Sequence, residues 1–350
     1  MKRLCRLLIL PLLATLGGCA GLSYVWQGLH GQMELLSRAR PIDDLIDDAA
    51  TSATMREKLS LARDIRAFAA RQLALPDNGS YTRYSELGRP YLLWNVIATP
   101  ALSLKPKVTC FPVAGCVAYR GYFSKADAEA FAASQREQGL DVYVAGVPAY
   151  STLGWFDDPL PSTVLHYGEL DLARLLFHEL AHQVVYVSDD TTFNESFAVA
   201  VEEEGLARWV AQRQDEAMRE RLARAQVYRA GFRELIARTR TRLAEVYAGA
   251  GGEPEKLAAK ARILGALPSE YRDLRASWGG FAGYDAWFGR EQNNASLASV
   301  ALYADQVPHF RRLLKACGEE MPRFFGAVRA LAGQPHATRN RRLAAEAPSC

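Results

Sequence analysis

The sequence lacks several features that are typical of particular classes of protein. It has six histidines in 350 residues, a formal net charge of +3, and no pair of cysteines at C-x-x-C spacing. The small net charge, without a basic cluster that contains interleaved aromatic residues, predicts that nucleic acid is not a partner. The missing C-x-x-C spacing argues against a zinc site built on cysteines.

A long apolar run is also missing at the N-terminus. Basic residues precede the apolar run from Leu7 to Leu16, which is too short to span a bilayer and is typical of a signal peptide. The run ends in Leu16-Gly17-Gly18-Cys19, which resembles a bacterial lipobox. We therefore expect cleavage after residue 18 and a lipid anchor on Cys19; an ordinary secretory signal is the alternative. Because Ala20 follows, the resemblance implies the outer membrane, with the protein facing the periplasm.

The remaining cysteines agree with export of the protein to an oxidising compartment. Cys110, Cys116, Cys317 and Cys350 form an even set, as expected where disulfides form. Cys110 and Cys116 flank a turn-like stretch that a disulfide can close. Cys317 and Cys350 are the remaining predicted pair.

The scarce histidines include one metal-binding motif. His178, Glu179 and His182 form H-E-x-x-H. In a helix the two histidines lie one turn apart on one face, a spacing that suits Zn²⁺, and Glu179 on the flank is the predicted general base. An i, i+4 apolar row predicts a dry opposite face: Leu172, Leu176, Leu180 and Val184. The alternative is a pair of histidines that serves only as a satisfied polar couple.

A catalytic zinc needs a third protein ligand. Glu195, at the start of the next predicted helix, is the candidate, since a short turn can bring it across the first helix. Thr192 to Glu195 is also a capping-box pattern, in which Glu195 would only satisfy backbone N–H groups. Glu202, two turns further on the same face, is the alternative ligand; otherwise it supports a histidine or binds a substrate amine.

Two further features are candidates for contacts with substrate. The loop from Ala149 to Pro159 is rich in aromatic residues, so Tyr150 and Trp155 are predicted to bind substrate, or else to fill the join between sheet and helices. Tyr303 is the candidate phenol that stabilises an oxyanion, with core packing as its alternative.

The periodicities predict an α+β fold that is mostly helical. Helical patterns cover about Met33 to Leu75, Lys125 to Gln138 and most of the chain after residue 166. Strands rich in aromatic and β-branched residues are predicted at Tyr91 to Ala98, Val117 to Phe123 and Val142 to Val147. We expect a signal peptide at 1–18, a helical segment at 19–75, a small mixed sheet in an α/β region at 76–165, and a helical catalytic region at 166–350.

Several stretches together resemble a family of predicted bacterial aminopeptidases, which are lipoproteins with a domain once catalogued as of unknown function. The stretches are Pro112 to Cys116, Tyr119 to Phe123, Ala149 to Pro159, His178 to Gln183 and Phe193 to Ala198. The resemblance implies a gluzincin-type metallopeptidase with His178, His182 and Glu195 as zinc ligands and Glu179 as base. The exopeptidase motif Gly-Ala-Met-Glu-Asn is absent.

The resulting hypothesis is a zinc-dependent peptidase, expected to be an aminopeptidase that acts on peptide substrates. An endopeptidase is the alternative within the same chemistry. A lipid-anchored scaffold or binding protein that keeps the motif without activity is the alternative from another class.

Overall fold

The structure, a computed structural model, describes residues 19–111 and 115–350. The predicted signal peptide and residues 112–114 lie outside the described residues, as does the side chain of Cys19. No helix among the residues described is long and apolar enough to cross a membrane.

Helices make up most of the molecule. They are α1 (Cys19–Ser37), α2 (Ile42–Asp47), α3 (Ala53–Leu73), α4 (Lys125–Glu137), α5 (Glu169–Ala181), α6 (Thr191–Arg213), α7 (Glu216–Ala248), α8 (Glu253–Ser277), α9 (Asp285–Phe288), α10 (Asn294–Leu302), α11 (Val307–Ala316), α12 (Met321–Ala332) and α13 (His336–Leu343). The strands are β1 (Ala39–Pro41), β2 (Arg83–Ser85), β3 (Leu93–Pro100), β4 (Thr109–Phe111), β5 (Gly115–Val117), β6 (Arg120–Tyr122), β7 (Leu140–Val147) and β8 (Leu160–Pro161). The predicted fold class, α+β and mostly helical, is confirmed.

The strands form three small sheets. The sheet beside the site has the order β6-β3-β7, and both of its pairs are antiparallel. Helix α4 connects β6 to β7, which leaves β3 between them and makes β7 an edge strand. The mixed sheet is a different one, in which β2 pairs antiparallel with β1 and parallel with β8.

Two predicted elements are divided in the structure. The segment predicted as one strand from Val117 to Phe123 is split, because β5 pairs with β4 in a hairpin whereas β6 pairs with β3. The helical N-terminal segment is interrupted at Pro41, which belongs to β1 and precedes α2. Proline has no N–H to continue a helix and is favoured just before or at a helix start.

Both predicted disulfides are present in the structure. Cys110–Cys116 joins β4 to β5. Cys317–Cys350 ties the end of the chain to the residue that follows α11.

The main hydrophobic core lies around α5 and α6. Phe177 of α5 and Phe197 of α6 are fully buried in it, and the ring of Phe177 packs 5.8 Å from that of Phe68 in α3. The two helices approach closely at Gly205, where a Cβ atom would lie 2.5 Å from Cδ2 of Phe177. The absence of a side chain there lets α6 pack directly against the helix that carries the H-E-x-x-H motif.

Candidate metal centre

Three side chains from α5 and α6 bring their donor atoms together. Nε2 of His178 lies 3.2 Å from Nε2 of His182 and 3.3 Å from Oε2 of Glu195, and the third distance, from His182 to Glu195, is 3.7 Å. His182 follows the last residue of α5 but keeps helical backbone angles, so the expected i, i+4 geometry holds. These three residues form the one group that could hold a metal ion among the described residues.

The connection between the two helices explains how Glu195 returns to the histidines. The side chain of Asn194 both accepts a hydrogen bond from the N–H of Val187 and donates one to its carbonyl, each at 2.8 Å. This pair of hydrogen bonds closes the loop after α5. Asp190 caps α6 by accepting from the N–H of Phe193 at 3.1 Å. The capping-box role considered for Glu195 is therefore absent, and its carboxylate faces the histidines instead.

Glu202 lies behind the first histidine rather than beside the donor triangle. Its Oε2 is 3.0 Å from Nδ1 of His178, and its Oε1 is 3.5 Å from Nη1 of Arg229. A carboxylate at this position fixes the tautomer and orientation of a metal-binding imidazole. Each oxygen of Glu202 therefore has a partner, one at His178 and the other at Arg229.

The donors fit a tetrahedral zinc ion. Ligands about 2.0 to 2.1 Å from Zn²⁺ are separated by about 3.3 to 3.4 Å along the edges of a tetrahedron. The three distances of 3.2, 3.3 and 3.7 Å bracket that value. Two imidazoles and one carboxylate are also a donor set found at catalytic zinc sites, with a fourth position left for water.

The electrostatics favour a cation at this position. Burial tends to lower the pKa of His178, but the carboxylates of Glu195 and Glu202 outweigh it and raise that pKa. Burial tends to raise the pKa of Glu195, whereas the two histidines hold it well below its usual range. The buried carboxylates thus stabilise positive charge among the donor atoms.

Glu179 lies on the flank of the same helix and lines an adjacent cleft. It is 9% exposed. Burial raises its pKa, and the nearby His178 and His182 oppose that rise. A carboxylate with a raised pKa, beside a metal site and open to a cleft, is suited to accept a proton and release it again.

The cleft has a volume of about 520 Å³ and is lined by both the helices and the sheet. Ala145, Gly146 and Val147 of the edge strand β7 form one wall. Of the three donor residues, His178 lies in its lining, together with Glu179.

Two tyrosines from distant parts of the chain contribute to the lining near the metal donors. Tyr303 follows α10, and its ring stacks on that of His178 with centroids 6.1 Å apart. Tyr119, between β5 and β6, was not singled out as a site residue by the sequence. Burial, and then the charge of Glu195, raises the pKa of both phenols well above the usual value. Because a phenol has an ordinary pKa of about 10, both are protonated at neutral pH and can donate hydrogen bonds into the cleft.

The structure does not bring Tyr150 or Trp155 to this cleft. The hydroxyl of Tyr150 bonds to Gln32 of α1, and its ring packs against Phe123, so it belongs to the packing between α1 and the sheet. Trp155 lies at a turn and is 73% exposed. Ala149, the first residue of that loop, and the preceding Pro148 line the cleft instead.

Three arginines in the lining were also not predicted as site residues from the sequence. Arg174 of α5 and Arg229 and Arg233 of α7 all lie in the cleft wall. Arg174 precedes His178 by four residues, so the helical period could have placed it on the same face. No local pattern could have placed α7 beside α5.

A family of known proteins matches most of the chain. The model of the Aminopep family, described as "Putative aminopeptidase", matches residues 23–343. No curated protein and no solved structure matches the chain significantly.

Proposed function

The chain belongs to the Aminopep family, and from this premise and the donor geometry we propose that it is a zinc-dependent peptidase. The family description supports peptidase activity. The observation that carries the metal assignment is the triangle of donor atoms contributed by His178, His182 and Glu195.

His178, His182 and Glu195 would hold the metal, and Glu202 would orient His178 from behind. A bound Zn²⁺ ion supplies Lewis acidity, which activates water and polarises a peptide carbonyl. Glu179 takes the proton of the attacking water and then delivers it to the leaving amine. Its raised pKa makes Glu179 a better proton acceptor than an ordinary carboxylate, and a carboxylic acid can still protonate an amine.

Tyr303 is proposed to stabilise the oxyanion that develops on the scissile carbonyl. A phenol has an ordinary pKa of about 10 and is therefore protonated at neutral pH. Tyr119 also lines the cleft and serves as a further hydrogen-bond donor. Such donors contribute most where charge appears only in the transition state.

The edge strand is proposed to align the substrate. The carbonyls of Val142 and Val144 at the outer edge of β7 already accept hydrogen bonds from Asn293 and Arg290. Gly146, further along the strand, lines the cleft. An extended peptide can add to this part of the edge as an additional strand.

We propose an aminopeptidase, in agreement with the family description. We also propose that a lipid on Cys19 anchors the protein to the outer membrane, where the catalytic region faces the periplasm. Labelling with a radioactive fatty acid, compared between the native chain and Cys19→Ser, tests the anchor.

Metal analysis combined with a mixed peptide library tests the enzyme assignment. We expect about one zinc per chain and removal of residues from N-termini. Internal cleavage would identify an endopeptidase. Protein that binds no zinc and cleaves no peptide would contradict the proposal and support a scaffold role.

A further inference from the structure

The wall of the cleft beside the donor triangle is positively charged. Arg174, Arg229 and Arg233 lie in that wall together with Tyr284. Burial raises the pKa of Tyr284, and the charges of all three guanidinium groups oppose that rise. The three arginines therefore converge on one part of the cleft, around the phenol of Tyr284.

Each carboxylate that pairs with one of these arginines either also contacts another side chain or is exposed to solvent. Glu202 is 3.5 Å from Arg229 and also faces His178. Glu203 is 3.1 Å from Arg233 and pairs with Arg311 as well.

Arg174 has the weakest partner of the three. Its partner, Asp171, is 3.2 Å away with a side chain that is 59% exposed, and an ion pair as exposed as this one contributes little. Positive charge is therefore only partly compensated in this wall, and Arg174 can turn to a ligand at small cost.

Free carboxylates are scarce in the same cleft. Among the described residues that line it, Glu179 and Glu202 are the only acidic side chains. Glu179 is the proposed base, and both oxygens of Glu202 are engaged. The lining thus offers guanidinium groups for an anion.

We propose that Arg174, with Arg229 and Arg233 behind it, binds a carboxylate of the substrate. This inference rests on the proposed peptidase function and specifies its substrate class. The carboxylate comes either from the C-terminus of a short peptide or from an acidic side chain close to the scissile bond. Guanidinium groups bind carboxylates through paired, charge-assisted hydrogen bonds.

The position of Arg174 limits how far that carboxylate lies from the reaction. Arg174 and His178 are one helical turn apart, about 6 Å along α5. An extended peptide advances about 3.4 Å per residue. A carboxylate at Arg174 therefore belongs to a residue within about two positions of the scissile bond.

Three peptides distinguish the sources of the carboxylate: Leu-Ala-Ala as the free acid, the same peptide as its amide, and Leu-Glu-Ala amide. We expect at least one of the two anionic peptides to be cleaved about tenfold more efficiently than the neutral amide, mainly through a lower KM. Preference for the free acid identifies a C-terminal carboxylate, and preference for the glutamyl peptide identifies a side chain.

Arg174→Gln should reduce that preference about tenfold, because one charge-assisted bond pair is lost. Zinc content, measured in parallel, should stay at the native value. The matched control is Arg238→Gln, which removes an exposed arginine of α7 that pairs with Glu234 and should leave cleavage of all three peptides unchanged.

Calorimetric binding of the same peptides to the Glu179→Gln variant separates this inference from the proposed function. Preferential binding of an anionic peptide without hydrolysis by the native chain would support the carboxylate site and contradict the peptidase. Equal cleavage of all three peptides by the native chain would overturn the carboxylate site and leave the peptidase intact. Binding of none of them would overturn both.

Discussion

Oε2 of Glu202 lies 3.0 Å from Nδ1 of His178, on the opposite side of the imidazole from the Nε2 atom that faces Glu195. This contact leaves Nε2 unprotonated for a metal when Nδ1 carries the proton. His182 has no equivalent support, since its buried Nδ1 has no hydrogen-bond partner among the described residues. Orientation of the donor triangle therefore depends on one carboxylate.

Glu202→Gln should weaken zinc binding about tenfold. The amide keeps the shape of the side chain but no longer stabilises the proton on Nδ1 as a carboxylate does. Competition with a chromogenic chelator measures the affinity. The control is Glu204→Gln on the same helix, whose partner is Arg208. Native zinc affinity in Glu202→Gln would mean that this contact does not support the metal site.

Glu179→Gln should retain zinc and lower kcat by about a hundredfold to ten-thousandfold. Glutamine fills the same volume but cannot accept the proton of water, and general base catalysis contributes about that much. Zinc content and kcat are measured on the same preparation. A kcat within tenfold of the native value would remove Glu179 from the role of base.

Asp158 should make the free energy of unfolding of the chain depend on pH. Its side chain is buried, and desolvation raises its pKa to about 6 although Thr152 donates two hydrogen bonds to it. A raised pKa means that the folded state binds the proton more tightly than the unfolded state. The stabilisation is present below about pH 4 and is lost as the pH rises to about 6.

Urea unfolding of the native chain and of Asp158→Asn checks this expectation. Between pH 4 and pH 7, the free energy of unfolding of the native chain should fall by about 2 to 3 kcal/mol relative to the variant. A difference between the two proteins that does not change over this range would contradict it.

Gly205→Ala should destabilise the fold by about 1 to 3 kcal/mol. The added Cβ would lie 2.5 Å from the ring of Phe177 and 2.8 Å from Cδ1 of Leu73, and overpacking of a core has this cost. Gly265→Ala in α8 is the matched control, because nothing lies within 4 Å of its added Cβ. Alanine is the better helix former, so the control should be stabilised by up to about 1 kcal/mol. Equal effects of the two substitutions would argue against close packing at Gly205.

Sequence patterns placed the elements around the site with good accuracy. The predicted helix Lys125 to Gln138 is α4 at Lys125–Glu137, and the strand predicted at Val142 to Val147 lies within β7. Leu172, Leu176 and Leu180 of the predicted apolar row are fully buried, and Val184, which lies beyond the end of α5, is partly buried against the same core. These features were accessible because side-chain periodicity reports directly on which face of an element is buried.

Aromatic loops were harder to interpret. Tyr150 and Trp155 have the composition of a substrate surface, yet one packs on α1 and the other faces solvent. Composition shows that a loop has large apolar groups, but the neighbouring elements decide what those groups contact. Here α1, 118 residues away at Gln32, provides the partner for Tyr150.

By itself, the sequence determined the fold class, the membership in the family and the alignment of His178 and His182, because all three follow from residue types and the period of an α-helix. The tertiary structure alone decided that Glu195 faces those histidines, that Glu202 supports one of them, and that Arg229 and Arg233 enter the same cleft. These relations depend on how α6 packs against α5 and how α7 packs against α6. The burial of side chains that lie far apart in the chain fixes that packing, and no local pattern encodes it.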